Sequence, residues 1–64
     1  MKFNIYRGSE KDMNERGGEL NLVNLSKTEI ARFCNRMKFN FSKFFNDGEY
    51  VVADNGVGFW VEEA

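Results

Sequence analysis

The fold of this chain is decided by the segment LSKTEI, residues 25–30, because this segment fixes where the main helix begins. Ser26 can accept a hydrogen bond from the backbone N–H of Glu29, and the Glu29 carboxylate can reach back to the N–H of Ser26. The apolar residues on either side of this capping box have the spacing of a hydrophobic staple, which sets the entry angle of the chain. The pattern therefore predicts a helix that starts at Lys27.

One apolar stripe follows the cap and defines the face that the helix should bury. Its members recur at spacings of three and four residues, and they are Ile30, Phe33, Cys34, Met37, Phe41, Phe44 and Phe45. Phe39 lies off the stripe and alternates with Phe41, and Asp47-Gly48 ends the pattern. Three interpretations of residues 38–46 stay open: the end of one bent helix, a second short helix, or a strand.

Two strands are predicted before the helix. Apolar residues alternate with polar ones at residues 3–6 and again at 19–24, which is the period of a half-buried strand. Between them, residues 8–18 are polar, charged and bracketed by glycine. That composition predicts a mobile polar loop.

A β-hairpin is predicted over residues 49–62, because two apolar runs flank an Asp-Asn-Gly sequence at 54–56. Asn-Gly supplies the two positive φ angles of a type I′ turn, so it would form a two-residue loop. Loop length fixes the register of a hairpin. On one face this register pairs Val51 with Trp60 and Glu49 with Glu62.

These elements predict an α+β fold for residues 1–64 as a single domain. The expected order is β-β-α-β-β, with an antiparallel sheet packed against one amphipathic helix. The core is expected to contain twelve residues: Phe3, Ile5, Leu20, Leu22, Ile30, Phe33, Cys34, Met37, Phe41, Phe44, Val52 and Phe59.

The composition removes most classes of chemistry. Histidine is absent and Cys34 is the single cysteine, so a zinc site of Cys and His, a redox pair and an internal disulfide are all excluded. General acid–base and nucleophilic catalysis also lack their usual residues. We therefore expect no enzymatic activity, no cofactor and no metal.

The start of the chain, Met1 to Arg7, is too short and too polar for a signal peptide, and no apolar run is long enough to cross a bilayer. A cytoplasmic protein that does not enter a membrane is expected.

Charge is distributed unevenly along the chain, although the net charge is only −1. Residues 27–46 carry a net charge of +4, and residues 47–64 carry −5. The helix region is therefore basic and the predicted hairpin is acidic, so each could attract a different kind of partner.

The hairpin is the first candidate site. A tryptophan beside two opposed carboxylates resembles an interface anchor, and an acidic segment can occupy a basic groove on another protein. Phe39, which lies off the buried stripe, is expected to be exposed as well. The candidate partner-binding residues are Trp60, Val51, Glu49, Glu62 and Phe39.

The basic segment supports an alternative, a nucleic-acid-binding regulator. Residues 27–46 can be arranged as a helix-turn-helix with its turn at Asn35, and the 49–62 hairpin would act as a wing. Phosphate would repel that acidic wing. The residues that would contact nucleic acid are Arg32, Arg36, Lys38, Asn40 and Lys43.

Taken together, the residues favour a small non-enzymatic protein-binding module. Intracellular chains of this size and composition are frequent among phage and mobile-element accessory proteins. An inhibitor or regulator of a larger host protein or nucleoprotein complex, such as a nuclease or defence system, is therefore the expected function. Surplus aromatic side chains could also close a homodimer.

Overall fold

The computed structural model describes all residues from 1 to 64. The elements, in chain order, are β1 (Phe3–Gly8), α1 (Glu10–Asn14), β2 (Glu19–Leu25), α2 (Lys27–Met37), a π-helical turn (Ser42–Asn46), β3 (Val51–Val52) and β4 (Gly58–Glu63). The strands form one antiparallel sheet in the order β2-β1-β4-β3. The predicted α+β class is confirmed. Besides α2, the chain forms two short helical segments that the predicted order lacks.

The start of α2 is as predicted. The backbone N–H of Glu29 donates to Ser26 Oγ at 3.2 Å, and the N–H of Ser26 donates to Glu29 Oε1 at 2.8 Å. The helix ends at Met37, because Lys38 adopts a left-handed conformation with φ of 62°. The N–H of Phe39 then bonds the carbonyl of Cys34 at 2.8 Å, a closure that satisfies an end carbonyl of the helix.

Residues 38–46 follow the second of the three interpretations, a separate short helical segment. Asn40 initiates it, since its Oδ1 accepts a hydrogen bond from the N–H of Lys43 at 3.0 Å. The π-helical turn that follows buries Phe44 fully and leaves Phe41 half-buried.

The mobile polar loop predicted over residues 8–18 contains a short helix that the prediction lacked, α1. Ser9 Oγ accepts from the N–H of Asp12 at 3.0 Å, and the N–H of Ser9 donates to Asp12 Oδ2 at 2.9 Å. This is a second capping box, with Asp in place of the usual Glu. The segment has no apolar period and α1 buries no residue. The capping box is therefore the only feature of the sequence that predicts α1.

The hairpin forms, but its predicted register is wrong by one residue. Val51 lies opposite Phe59 and Val52 opposite Gly58. The loop has three residues rather than two: Gly56 alone has positive φ, at 88°, and Asn55 Oδ1 accepts from the N–H of Val57 at 3.0 Å. A shift of one residue exchanges the two faces of a strand pair.

The core lies between α2 and one face of the sheet. Its buried members are Ile5, Ile30, Phe33, Cys34, Phe44 and Phe59, all of them predicted. Two predicted core residues are wrong, since Leu20 is 53% exposed and Val52 is 54% exposed. Phe39 was expected to be exposed but is half-buried, with its ring 5.5 Å from that of Phe44.

Candidate binding surface

The second sheet face, which points away from α2, carries a row of aromatic residues. Trp60 of β4 lies opposite Tyr6 of β1, and the two rings stack with centroids 5.9 Å apart. The ring of Tyr50 lies 6.1 Å from Trp60 on its other side. We call this sheet face the outer face. Trp60 is nevertheless only 1% exposed.

Glycine makes the burial of Trp60 possible. A Cβ at Gly18 would lie 2.5 Å from Cη2 of the indole, and a Cβ at Gly58 would overlap the ring of Tyr50. The chain before β2 can therefore lie directly on the indole, and Tyr50 can lie across β4. The aromatic row is in effect a second, smaller core.

Two polar groups of this row are paired within the protein, those of Trp60 and Tyr50. The indole N–H donates to Glu62 Oε2 at 3.0 Å, and the Tyr50 hydroxyl donates to the carbonyl of Gly8 at 2.7 Å. Buried polar groups without partners are costly, so these bonds fix the orientation of both rings. The expectation that Trp60 is an exposed anchor is wrong, because its indole is covered and its N–H is occupied.

Apolar side chains remain open on both edges of the outer face. Leu20 of β2 lies opposite Tyr6, and Val52 of β3 lies opposite Gly58. Residues that are directly opposed in an antiparallel sheet share a face. Leu20 and Val52 therefore flank the aromatic row, one on each edge strand.

Leu20 and Val52 were missed as surface residues for identifiable reasons. The one-residue shift of the hairpin register puts Val52 on the outer face. Leu20 and Leu22 are two positions apart, so a regular strand would put both on the core face. The register of β2 instead shifts between them, with Leu22 opposite Ile5 and Leu20 opposite Tyr6. A β-bulge of this kind reverses the face. No single-sequence signal marks it.

The five predicted partner-binding residues do not come together. Trp60 and Glu62 lie on the outer face. Val51 faces the core with Phe59, and Phe39 is packed within that core. Glu49 lies outside the strands, and Glu62 is opposite Asn4 instead, so the predicted pair of opposed carboxylates is not formed.

The five predicted nucleic-acid-binding residues are all exposed: Arg32, Arg36, Lys38, Asn40 and Lys43. They are not presented by a helix-turn-helix. Asn35 lies inside α2, the following helical segment has five residues, and β4 of the would-be wing is an internal strand. Binding of nucleic acid by the basic side chains themselves stays a prediction.

A cleft separates α2 from the edge strand β2. It has a volume of about 210 Å³ and is lined by Leu22, Leu25, Glu29, Arg32, Phe33 and Arg36. The guanidinium of Arg36 lies 5.6 Å from the centre of the Phe33 ring, a distance at which cation–π attraction operates. The cleft thus has an apolar floor and a charged rim.

Three ionisable groups have shifted pKa values. The hydrogen bond from the backbone of Ser26 lowers the pKa of Glu29, and the corresponding bond from Ser9 lowers the pKa of Asp12. Burial raises the pKa of the Cys34 thiol, which keeps it protonated and unreactive at neutral pH. No three residues of the metal-binding types cluster together.

None of the helices combines the length and the apolar composition needed to span a lipid bilayer. No family model matches the chain, and comparisons with curated proteins and with solved structures find no match either. The surfaces described above are therefore the basis for assigning a role.

Proposed function

We propose that this domain is a non-enzymatic protein-binding module and that its outer face is the contact surface. The observation that carries the proposal is the exposure of Leu20 and Val52 on one face of the sheet, on either side of the Tyr6–Trp60 row. A single exposed aliphatic side chain is ordinary on a protein surface. Two that share a face with an aromatic row resemble the centre of an interface.

The energetics agree with this role. Complete burial of a Val or Leu side chain stabilises by about 1.5–3 kcal/mol, and roughly half of that remains to be gained at Leu20 and at Val52. Tyr6 is half-buried and offers both a ring and a hydroxyl, a combination enriched at interface hot spots. The ring of Tyr6 stacks on that of Trp60 on the neighbouring strand, which restricts its motion, so little conformational entropy would be lost on binding.

The kind of partner proposed rests on the size and composition of the chain. A larger host protein or nucleoprotein complex is the proposed target, which the domain would inhibit or regulate by occupying a surface. An origin in a phage or mobile element belongs to the same proposal. Glu62 lies beside the aromatic row and its carboxylate already accepts from Trp60, so basic residues on the partner would be favoured around the apolar contact.

A comparative capture experiment tests the proposal. Tagged wild-type domain and the double variant Leu20→Ser/Val52→Ser are incubated with bacterial lysate, and the retained proteins are quantified by mass spectrometry. Lys43→Ser, an exposed change on the far side of the sheet, is the matched control. A partner retained by wild type and control but lost from the double variant is expected. Equal retention by all three, or no enrichment by wild type, would contradict the proposal.

A further inference from the structure

Strand β2 has an open edge. It is the outermost strand on its side of the sheet, and five of its seven residues are exposed. Natural edge strands are commonly protected by lysine, proline or β-bulges; β2 contains no lysine or proline, Glu19 is its only charged residue, and its register against β1 shifts at two points. Leu20 and Val23 are both more than half exposed. This edge is suited to pairing with another strand.

The charges next to that edge are self-complementary. Glu29 and Arg36 both line the cleft between α2 and β2 and lie seven residues apart, about two helical turns along one side of α2. The only ion pair in the molecule joins Arg7 to Glu19, so neither Glu29 nor Arg36 is in a salt bridge. If a second α2 lay antiparallel beside the first, each Glu29 would face the Arg36 of the other copy.

We propose that the domain forms a homodimer through β2. The two β2 strands pair antiparallel across a two-fold axis, and the two α2 helices lie side by side on the core face of the extended sheet. Glu29 and Arg36 then form two equivalent interhelical pairs over the apolar floors of the joined clefts. Such an interface is isologous, with the same surface used by both copies.

A second copy fits this edge better than an unrelated strand does. Two-fold symmetry makes the Glu29–Arg36 pairing occur twice without any further sequence requirement. The pairing also brings Leu20 and Val23 of one copy next to those of the other. The register of β2 against β1 shifts at two points, which shortens the regular stretch of strand that can pair with a second copy. The dimer is therefore expected to be of moderate affinity.

Arg32 gives the arrangement a distinctive signature. It lies between Glu29 and Arg36 on the cleft rim, so in an antiparallel pair of helices it is close to the symmetry axis and to the Arg32 of the other copy. The two Arg32 side chains carry like charges, which repel each other. Removal of the charge at Arg32 should therefore strengthen the dimer, whereas its removal at Arg36 should weaken it.

Light scattering after size exclusion tests the proposal with the whole chain, over about 10 μM to about 1 mM protein. We expect a mass approaching about 15 kDa, twice the 7.5 kDa of one chain. Arg36→Glu should raise the dimer dissociation constant about tenfold or more, because two attractive pairs become repulsive. Arg32→Gln should lower it. Lys43→Glu makes the same charge change as Arg36→Glu on the π-helical turn and should alter it less than about twofold.

Circular dichroism of each variant confirms that it is folded, and Val23→Lys provides a second way to block the edge without touching α2. A mass of 7.5 kDa at every concentration would overturn the proposal. A dimer that persists unchanged in both Arg36→Glu and Val23→Lys would overturn it too, because the interface would then lie elsewhere. The result does not depend on capture of any other protein.

Discussion

At the scale of single residues, the burial of Trp60 depends on the small size of a neighbouring residue. Gly18 has no side chain, so the chain that leads into β2 can lie against the indole. Tyr6 and Tyr50 contact the indole from two sides, and Glu62 accepts its N–H. With a bulkier residue at position 18, Trp60 would be exposed on the surface, as its position in the sequence suggested.

Gly18→Ala should therefore destabilise the domain strongly. The new methyl group would lie 2.5 Å from the indole and 2.9 Å from the carbonyl oxygen of Arg7, at a backbone φ of 83°. Strain at positive φ costs about 1–2 kcal/mol, and overpacking costs about 1–3 kcal/mol more. Urea unfolding followed by circular dichroism measures the loss, and the tryptophan emission of the folded variant should shift to the red.

Gly56→Ala is the matched control for this substitution. Its φ of 88° is nearly that of Gly18, but nothing lies within 4 Å of the added methyl group. Only the backbone cost of about 1–2 kcal/mol is expected. If the two variants were equally stable, the packing of Gly18 against Trp60 would not be what buries the indole.

At the scale of elements, the two capping boxes have the same geometry and different importance. The helix that follows Ser26 contributes three buried residues to the core, Ile30, Phe33 and Cys34, whereas the helix that follows Ser9 contributes none. A cap stabilises the whole fold only as far as its helix is part of the cooperative core.

Ser26→Ala should accordingly lower the free energy of unfolding by about 1 kcal/mol, the usual cost of a lost N-cap. Ser9→Ala, which removes an equivalent hydrogen bond from α1, should have a smaller effect on global unfolding. Thermal unfolding of the two variants measures the difference. Equal losses would mean that α1 belongs to the cooperative core.

The caps also give stability a dependence on pH. Folding lowers the pKa of Glu29 below its ordinary value of 4.5 and the pKa of Asp12 below 3.8. A lowered folded pKa adds stability above the unfolded pKa, and this stability is lost as pH falls through the folded pKa. The free energy of unfolding should therefore decrease as pH is lowered from about 5 into the acid range.

Glu29→Gln tests the origin of that decrease. Glutamine can keep the cap hydrogen bond but cannot titrate, so the acid loss of stability should be shallower in this variant than in wild type. Glu49→Gln, the same substitution at an exposed residue outside the strands, is the control for altered surface charge. An unchanged slope in Glu29→Gln would show that the cap carboxylate does not contribute.

The elements that the sequence predicted are those with strong local signals. The capping box at Ser26 and the apolar period of α2 located the helix, and alternation located the strands. The hairpin register was set by a side chain instead, because Asn55 bonds the N–H of Val57 and lengthens the loop. Local patterns also could not choose between the paths of residues 38–46, which depend on how Phe39 and Phe44 pack in the core.

At the scale of the whole molecule, the sheet has apolar residues on both faces. One face packs on α2, and the outer face is sealed around Trp60 and open at Leu20 and Val52. The sequence indicated that the hairpin carries a tryptophan beside carboxylates, a combination typical of an interface. It could not show which residues beside Trp60 stay exposed, because a bulge in β2 and a one-residue shift in the hairpin decide this.

The outer face is the proposed binding surface for a partner. The most direct test of this proposal is an amide chemical-shift map of the isotope-labelled domain, recorded alone and with the captured partner. The largest changes are predicted at Tyr6, Leu20 and Val52, with little change at the exposed residues of α2 such as Thr28 and Asn35. Changes centred on α2 or on the π-helical turn, with the outer face unaffected, would contradict the account.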